Sequence, residues 1–252
     1  MNGDMATPTP KNAANLSWSS FGITNVGRVR RHNEDSLLER PDIGLWAVAD
    51  GMGGHAAGDV ASQMIVSSLG QLNGGEALTR YIDEIDDRLG EVNQQLIKKA
   101  NESTRRITIG STVVIMLAYD RYCVYIWAGD SRLYRLRDRQ LRQMTTDHSQ
   151  VELYVEKGLI TREQASTHPH SHMITRAVGA TDDLFLDMDI QEMAQEDRYV
   201  LCSDGLPRHV TDFEIEDILS EGSSEESCKT LIDLTLERGA GDNVTAIVVD
   251  IK

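Results

Sequence analysis

Along the 252-residue chain, short apolar runs alternate with longer segments in which apolar positions recur at steps of three and four. Leu45 to Ala49, Thr112 to Tyr119, Tyr122 to Ala128, Tyr199 to Cys202 and Val244 to Asp250 are rich in β-branched and aromatic residues and predict strands. Several are apolar at successive positions, which predicts burial on both faces. Only Asp120-Arg121 separates the second run from the third, and Ser131 to Leu136 follows after Gly129-Asp130. This spacing predicts an antiparallel meander rather than βαβ winding.

Helical stripes lie between the first two strand runs. Ala61, Met64, Ile65, Ser68, Leu69 and Leu72 form one; Leu78, Tyr81, Ile82, Ile85, Leu89, Val92 and Leu96 form another. Asn73-Gly74-Gly75 divides them, since these residues accept the left-handed backbone that ends a helix. A second helix pair is expected from Asp212 to Ser220 and from Ser224 to Arg238, with Cys228, Leu231, Ile232, Thr235 and Leu236 on one side of the latter. The predicted fold class is α+β, with two mainly antiparallel sheets face to face and helix pairs outside both. Residues 145–178 are polar, with a short helix near Ser149 to Lys157, and predict a surface insertion that gates a site. Residues 1–16 predict a disordered tail, leaving 17–252 as one domain.

Composition narrows the function. A 40% apolar content suffices for a sizeable core. The net charge of -15 argues against nucleic-acid and anionic-membrane partners, which require a basic footprint. Cys123, Cys202 and Cys228 lie far apart with no CxxC spacing, which suits a reducing cytoplasm and no zinc knuckle. The longest apolar run, Thr112 to Tyr119, falls far short of the ~20 residues a membrane span needs.

Four aspartates stand at the ends of apolar runs: Asp50 before Gly51-Met52-Gly53-Gly54, Asp130 after Gly129, Asp204 before Gly205, and Asp242 before Asn243. Singly, each is ordinary turn chemistry. Together, acids at converging strand ends would repel one another unless cations neutralised them. Arg30-Arg31-His32-Asn33-Glu34-Asp35 adds two more acids and an arginine upstream.

The ordered set Arg30…Glu34-Asp35, Asp50-Gly51-Met52-Gly53-Gly54, Gly129-Asp130-Ser131-Arg132, Ser203-Asp204-Gly205 and Gly241-Asp242-Asn243 resembles the metal-dependent, type 2C serine/threonine protein phosphatases of the bacterial branch, over about residues 20–252. The resemblance implies an αββα sandwich in which Asp50, Asp204, Asp242 and the Gly51 carbonyl hold two Mg²⁺ or Mn²⁺ ions. It implies that Glu34 and Asp35 act through bound water, that Asp130 with Asp204 holds a weaker third ion, and that Arg30 binds the substrate phosphate. Asn243 joins the candidate ligands, and Asp50, Asp204, Asp242 and Arg30 are the catalytic candidates. Thr146-Asp147-His148-Ser149 through Ile174–Gly179 is similar to the family's flap. The chemistry agrees: oxygen-only ligands favour hard cations, and two ions sharing a carboxylate activate a water for in-line attack on phosphorus.

The expected substrates are phosphorylated proteins, with a cognate Ser/Thr kinase in the same pathway and a monomeric chain. The alternative is a catalytically weak pseudophosphatase that binds phosphoproteins. Met52 stands where the animal branch carries a histidine, leaving the general acid open between His55 and a bound water. His168, His170 and His172 alternate as on one face of an extended strand, a pattern able to take a transition metal or simply to line a loop. Pro207-Arg208-His209 also departs from the usual bacterial pattern.

Overall fold

The computed structural model describes residues 16–53, 57–74, 77–103, 108–166, 168–171 and 173–252. His55, His172, Gly54, Gly75 and all of the expected tail except Leu16 lie outside them. In chain order the elements are β1 (Trp18–Asn25), β2 (Asp35–Arg40), β3 (Leu45–Met52), α1 (Ala57–Leu69), α2 (Leu78–Glu102), β4 (Gly110–Ser111), β5 (Val113–Tyr119), β6 (Tyr122–Ala128), β7 (Arg132–Arg137), β8 (Gln140–Gln143), α3 (Gln150–Glu156), α4 (Arg162–Ser166), β9 (Asp187–Glu192), β10 (Arg198–Cys202), α5 (Asp212–Leu219), α6 (Ser224–Glu237) and β11 (Val244–Ile251).

The strands form two antiparallel sheets, one ordered β1-β11-β10-β7-β8 and the other β2-β3-β5-β6-β9, with β4 added to the end of β3. Successive residues of the central strands enter different cores, which explains their unbroken apolar runs. Leu45, Ala47 and Ala49 pack with Ile65, Ile85, Leu89 and Leu96 of α1 and α2. Trp46 and Val48 pack with Val114, Met116, Leu201, Ile247 and Val249 between the sheets. Val244, Ala246 and Val248 pack with Ile215, Cys228, Leu231 and Ile232 of α5 and α6. The layers are therefore helix, sheet, sheet, helix, as the pattern predicts. Ser223 and Thr211 close capping boxes with Glu226 and Glu214, which sets where α6 and α5 begin.

The meander reading requires correction. β5 and β6 form the expected hairpin, but β7 pairs with β10 and β8 in the opposite sheet. The chain changes sheets at Gly129, whose φ of +115° and close approach to the Thr112 side chain leave no room for a Cβ. Apolar period reports that a strand is buried, not which sheet buries it, so the crossover was invisible in the pattern.

The insertion is anchored at both ends. Ser149 bridges to Ile174 and Ser111 bridges to Val178, and the Thr175 N–H donates to the His148 carbonyl at 2.7 Å. His168 and His170 do not lie on a strand. His168 to Ser171 forms turns, the His170 N–H donates to His168 Nδ1 at 3.1 Å, and the two rings meet edge to face. His168 Nδ1 thus accepts a backbone hydrogen bond, and no group of three His, Cys, Asp or Glu side chains able to hold a metal stands among the described residues. No helix among them is long and apolar enough to cross a membrane.

Candidate metal centre

Antiparallel register assembles the acids at one rim of the sandwich. Asp35 opens β2 directly opposite Asp50 in β3. In the other sheet Cys202 pairs with Ala246, so Asp204, just past β10, comes beside Asp242, just before β11. Asp130 reaches the same rim because the chain crosses between the sheets there.

Asp35 is buried, and its Oδ2 accepts hydrogen bonds from Ser203 Oγ at 2.8 Å and Thr245 Oγ1 at 2.7 Å. Its Oδ1 is buried with no hydrogen-bond partner among the described residues. Burial pushes the Asp35 carboxyl up to about 7 against those two hydrogen bonds, with help from the charges of Asp204 and Asp242. Asp130 is also pushed up to about 7, by burial and then by Asp204 and Asp147, while Arg208 pulls the other way. Asp50 is held well above the carboxylate range by burial and by the charges of Asp35, Asp204, Asp130 and Asp242.

Five aspartates thus lie within electrostatic reach of one another. An oxygen-only cluster containing an orphaned carboxylate oxygen fits hard divalent cations, which relieve both the repulsion and the missing contact. Among the described residues, no three such side chains already close on a single point. Arginines hold two of the acids instead. Arg208 contacts Asp204 through Nη2 and Asp242 Oδ2 through Nη1 at 3.0 Å, and Arg30 Nη2 meets the same Asp242 oxygen at 2.8 Å. Beside it, the Gly241 N–H donates to His209 Nε2 at 3.2 Å, tying the segment after Asp204 to the turn that carries Asp242.

Asn243, expected among the ligands, is tied by its side chain to the loop before β2. Its Oδ1 accepts from the Glu34 N–H at 2.8 Å and its Nδ2 donates to the Val26 and His32 carbonyls, so the amide braces the Arg30–Glu34 loop. Gly51 lies where a Cβ would fall 2.0 Å from the Gly58 carbonyl oxygen, and a Cβ on Gly58 would press on Glu34 Oε1 at 2.7 Å. Close approach of α1 to β3 therefore sets the position of Glu34. Asp50 is fixed through its backbone: its N–H donates to Thr112 Oγ1 at 3.1 Å and its carbonyl accepts from the Thr112 N–H at 2.9 Å.

Sequence reasoning assigned no role to Arg208, Ser203, Thr112 or Thr245. For Thr245 a signal existed, a hydroxyl inside the apolar run of β11. All three cysteines are buried, and burial pushes the Cys202 thiol up to about 12, which removes it as a nucleophile.

Known proteins share this chain's sequence and fold over most of its length. The serine/threonine protein phosphatase PstP of Mycobacterium tuberculosis is 36% identical over 225 residues, covering 89% of this chain. The chain spans 43% of that relative's length. The structure of PppA, described as a key regulatory component of T6SS in Pseudomonas aeruginosa, is similar with a TM-score of 0.88 and 38% identity, over 94% of this chain and 100% of that one. The catalytic domain of PstP solved with two manganese ions is similar with a TM-score of 0.82 and 34% identity, over 94% and 99% of the two chains. The profile described as protein phosphatase 2C matches residues 28–242, and with that span of sequence and fold in common the chain belongs to the protein phosphatase 2C family.

Proposed function

We propose that this chain is a metal-dependent phosphoprotein phosphatase that hydrolyses phosphoserine and phosphothreonine. The observation that carries the reading is the convergence of Asp35, Asp50, Asp130, Asp204 and Asp242, with the Asp50 carboxyl raised by burial and then by the charges of the other four. Asp50, Asp204, Asp242 and the Gly51 carbonyl would hold two Mg²⁺ or Mn²⁺ ions, Asp130 with Asp204 a weaker third, and Glu34 and Asp35 would act through water. Such a pair supplies a water of lowered pKa and charge neutralisation at the phosphoryl group. The chain's own part is to orient that chemistry. Ser203 and Thr245 hold Asp35, Thr112 holds the Asp50 backbone, and Arg30 presents a planar fork of donors to the phosphoryl oxygens.

The reading includes a cytoplasmic setting, a monomeric chain and a Ser/Thr kinase whose products it reverses. The test is phosphate release from para-nitrophenyl phosphate and a phosphothreonine peptide with Mn²⁺, with EDTA, and in Asp204→Asn. Turnover that survives excess EDTA, or that Asp204→Asn leaves intact, would falsify it.

A further inference from the structure

Arg208 is the charged group at the rim that the reading above leaves without a task. Its side chain is 30% exposed and its guanidinium bridges Asp204 and Asp242. Arg30, about half exposed, comes to the same Asp242 oxygen from the loop before β2. Two arginines from opposite ends of the chain therefore meet at one carboxylate on the open side of the acidic cluster. The segment carrying Arg208 is held there independently, by the Gly241 N–H on His209 Nε2 and by Arg238 Nη1 on the His209 carbonyl at 2.7 Å.

Divalent cations and guanidinium groups compete for the same carboxylate lone pairs. Two divalent ions leave only one of the five aspartate charges uncompensated, so the two arginines are no longer both needed by the acids and are free to turn to a dianionic phosphoryl group beside them. Arginine is suited to that role, because its fixed fork of donors matches phosphate oxygens as it matches carboxylate oxygens.

We propose that Arg208 is a second phosphate-binding arginine, which passes from Asp204 and Asp242 to the substrate phosphoryl group and shares it with Arg30. The inference rests on the phosphatase reading. It makes the Pro207-Arg208-His209 departure a substrate-recognition feature: Arg208 supplies the contact, while His209 keeps its segment at the rim.

Calorimetry on Arg208→Gln and Arg208→Lys tests it, titrating first Mg²⁺ and then inorganic phosphate into the Mg²⁺-loaded protein, with thermal unfolding to verify folding. Arg208→Gln should take up Mg²⁺ at least as tightly as the wild type, since a competitor for the carboxylates has gone. It should bind phosphate about 10-fold or more weakly, the loss expected for one charge-assisted contact. Arg208→Lys, which keeps the charge without the fork, should fall between. Phosphate affinity within twofold of wild type in a variant that still takes up Mg²⁺ overturns the proposal. So does loss of Mg²⁺ uptake in both folded variants, which would make Arg208 a brace for the acids. A wild-type chain that takes up no metal and releases no phosphate from the peptide overturns the functional reading itself, and does so before any variant is compared.

Discussion

Asp50 and Asp130 are both raised carboxyls, yet they occupy different places in the cluster. Asp50 feels four other aspartates, whereas the charges raising Asp130 are chiefly those of Asp204 and Asp147. Asp50→Asn should therefore abolish the binuclear centre and lower kcat by several orders of magnitude. Asp130→Asn should retain two tight Mn²⁺ sites in calorimetry while raising the Mn²⁺ concentration needed for turnover. Equal loss of sites in the two variants would reverse these roles. Arg30→Ala removes one charge-assisted phosphate contact worth ~1.5–3 kcal/mol, so kcat/KM on a phosphopeptide should fall on the order of 10 to 100 fold with metal uptake intact. An unchanged kcat/KM would leave Arg30 as no more than the Asp242 ion pair.

Among the elements, α1 and β3 come into close contact beside the site. At Gly51 and Gly58 two backbones approach so closely that either Cβ would meet a carbonyl or the Glu34 carboxylate. Gly51→Ala should thus cost about 1–3 kcal/mol by overpacking, seen as a drop of several degrees in Tm, together with weakened Mn²⁺ binding. Gly90→Ala in α2 is the control: a Cβ there meets nothing, and replacing a mid-helix glycine should raise Tm slightly. If Gly51→Ala proves as harmless as Gly90→Ala, the close packing does not hold the site. The elements also show which strands reveal themselves in sequence. β3, β5, β6, β10 and β11 are buried on both faces and stand out as apolar runs. The edge strands β1, β2, β8 and β9 are mixed in polarity, as one-sided burial requires, and gave no comparable signal.

For the molecule as a whole, bringing five aspartates to one rim couples stability to pH and metal. Asp35 and Asp130 sit at about 7 in the fold, against about 3.9 in an unfolded chain. Between those values the folded state binds more protons, so stability of the metal-free protein from these groups falls as pH rises from about 4 to about 7. Cation binding favours the carboxylates and releases those protons. The gain in Tm on adding saturating Mg²⁺ should therefore be larger at pH 7.5 than at pH 5, and Mg²⁺ uptake at pH 6 should release protons to the buffer. Equal Tm gains at the two pH values, with no proton release, would mean that the acids do not share one site.

The alternation of apolar runs and helical stripes sufficed for the four-layer architecture, because burial on both faces of a strand and on one face of a helix is written into local periodicity. The ordered acidic motifs likewise picked out Asp35, Asp50, Asp130, Asp204 and Asp242, which the fold brings to one rim, while the roles proposed for them come from the resemblance those motifs carry. Partnering was decided only in three dimensions. The move of β7 to the second sheet, Asn243 as a brace and Arg208 across Asp204 and Asp242 all depend on contacts between distant segments. Those contacts follow from which sheet a strand joins and how its register falls, and neither leaves a trace in the spacing of residues along one chain.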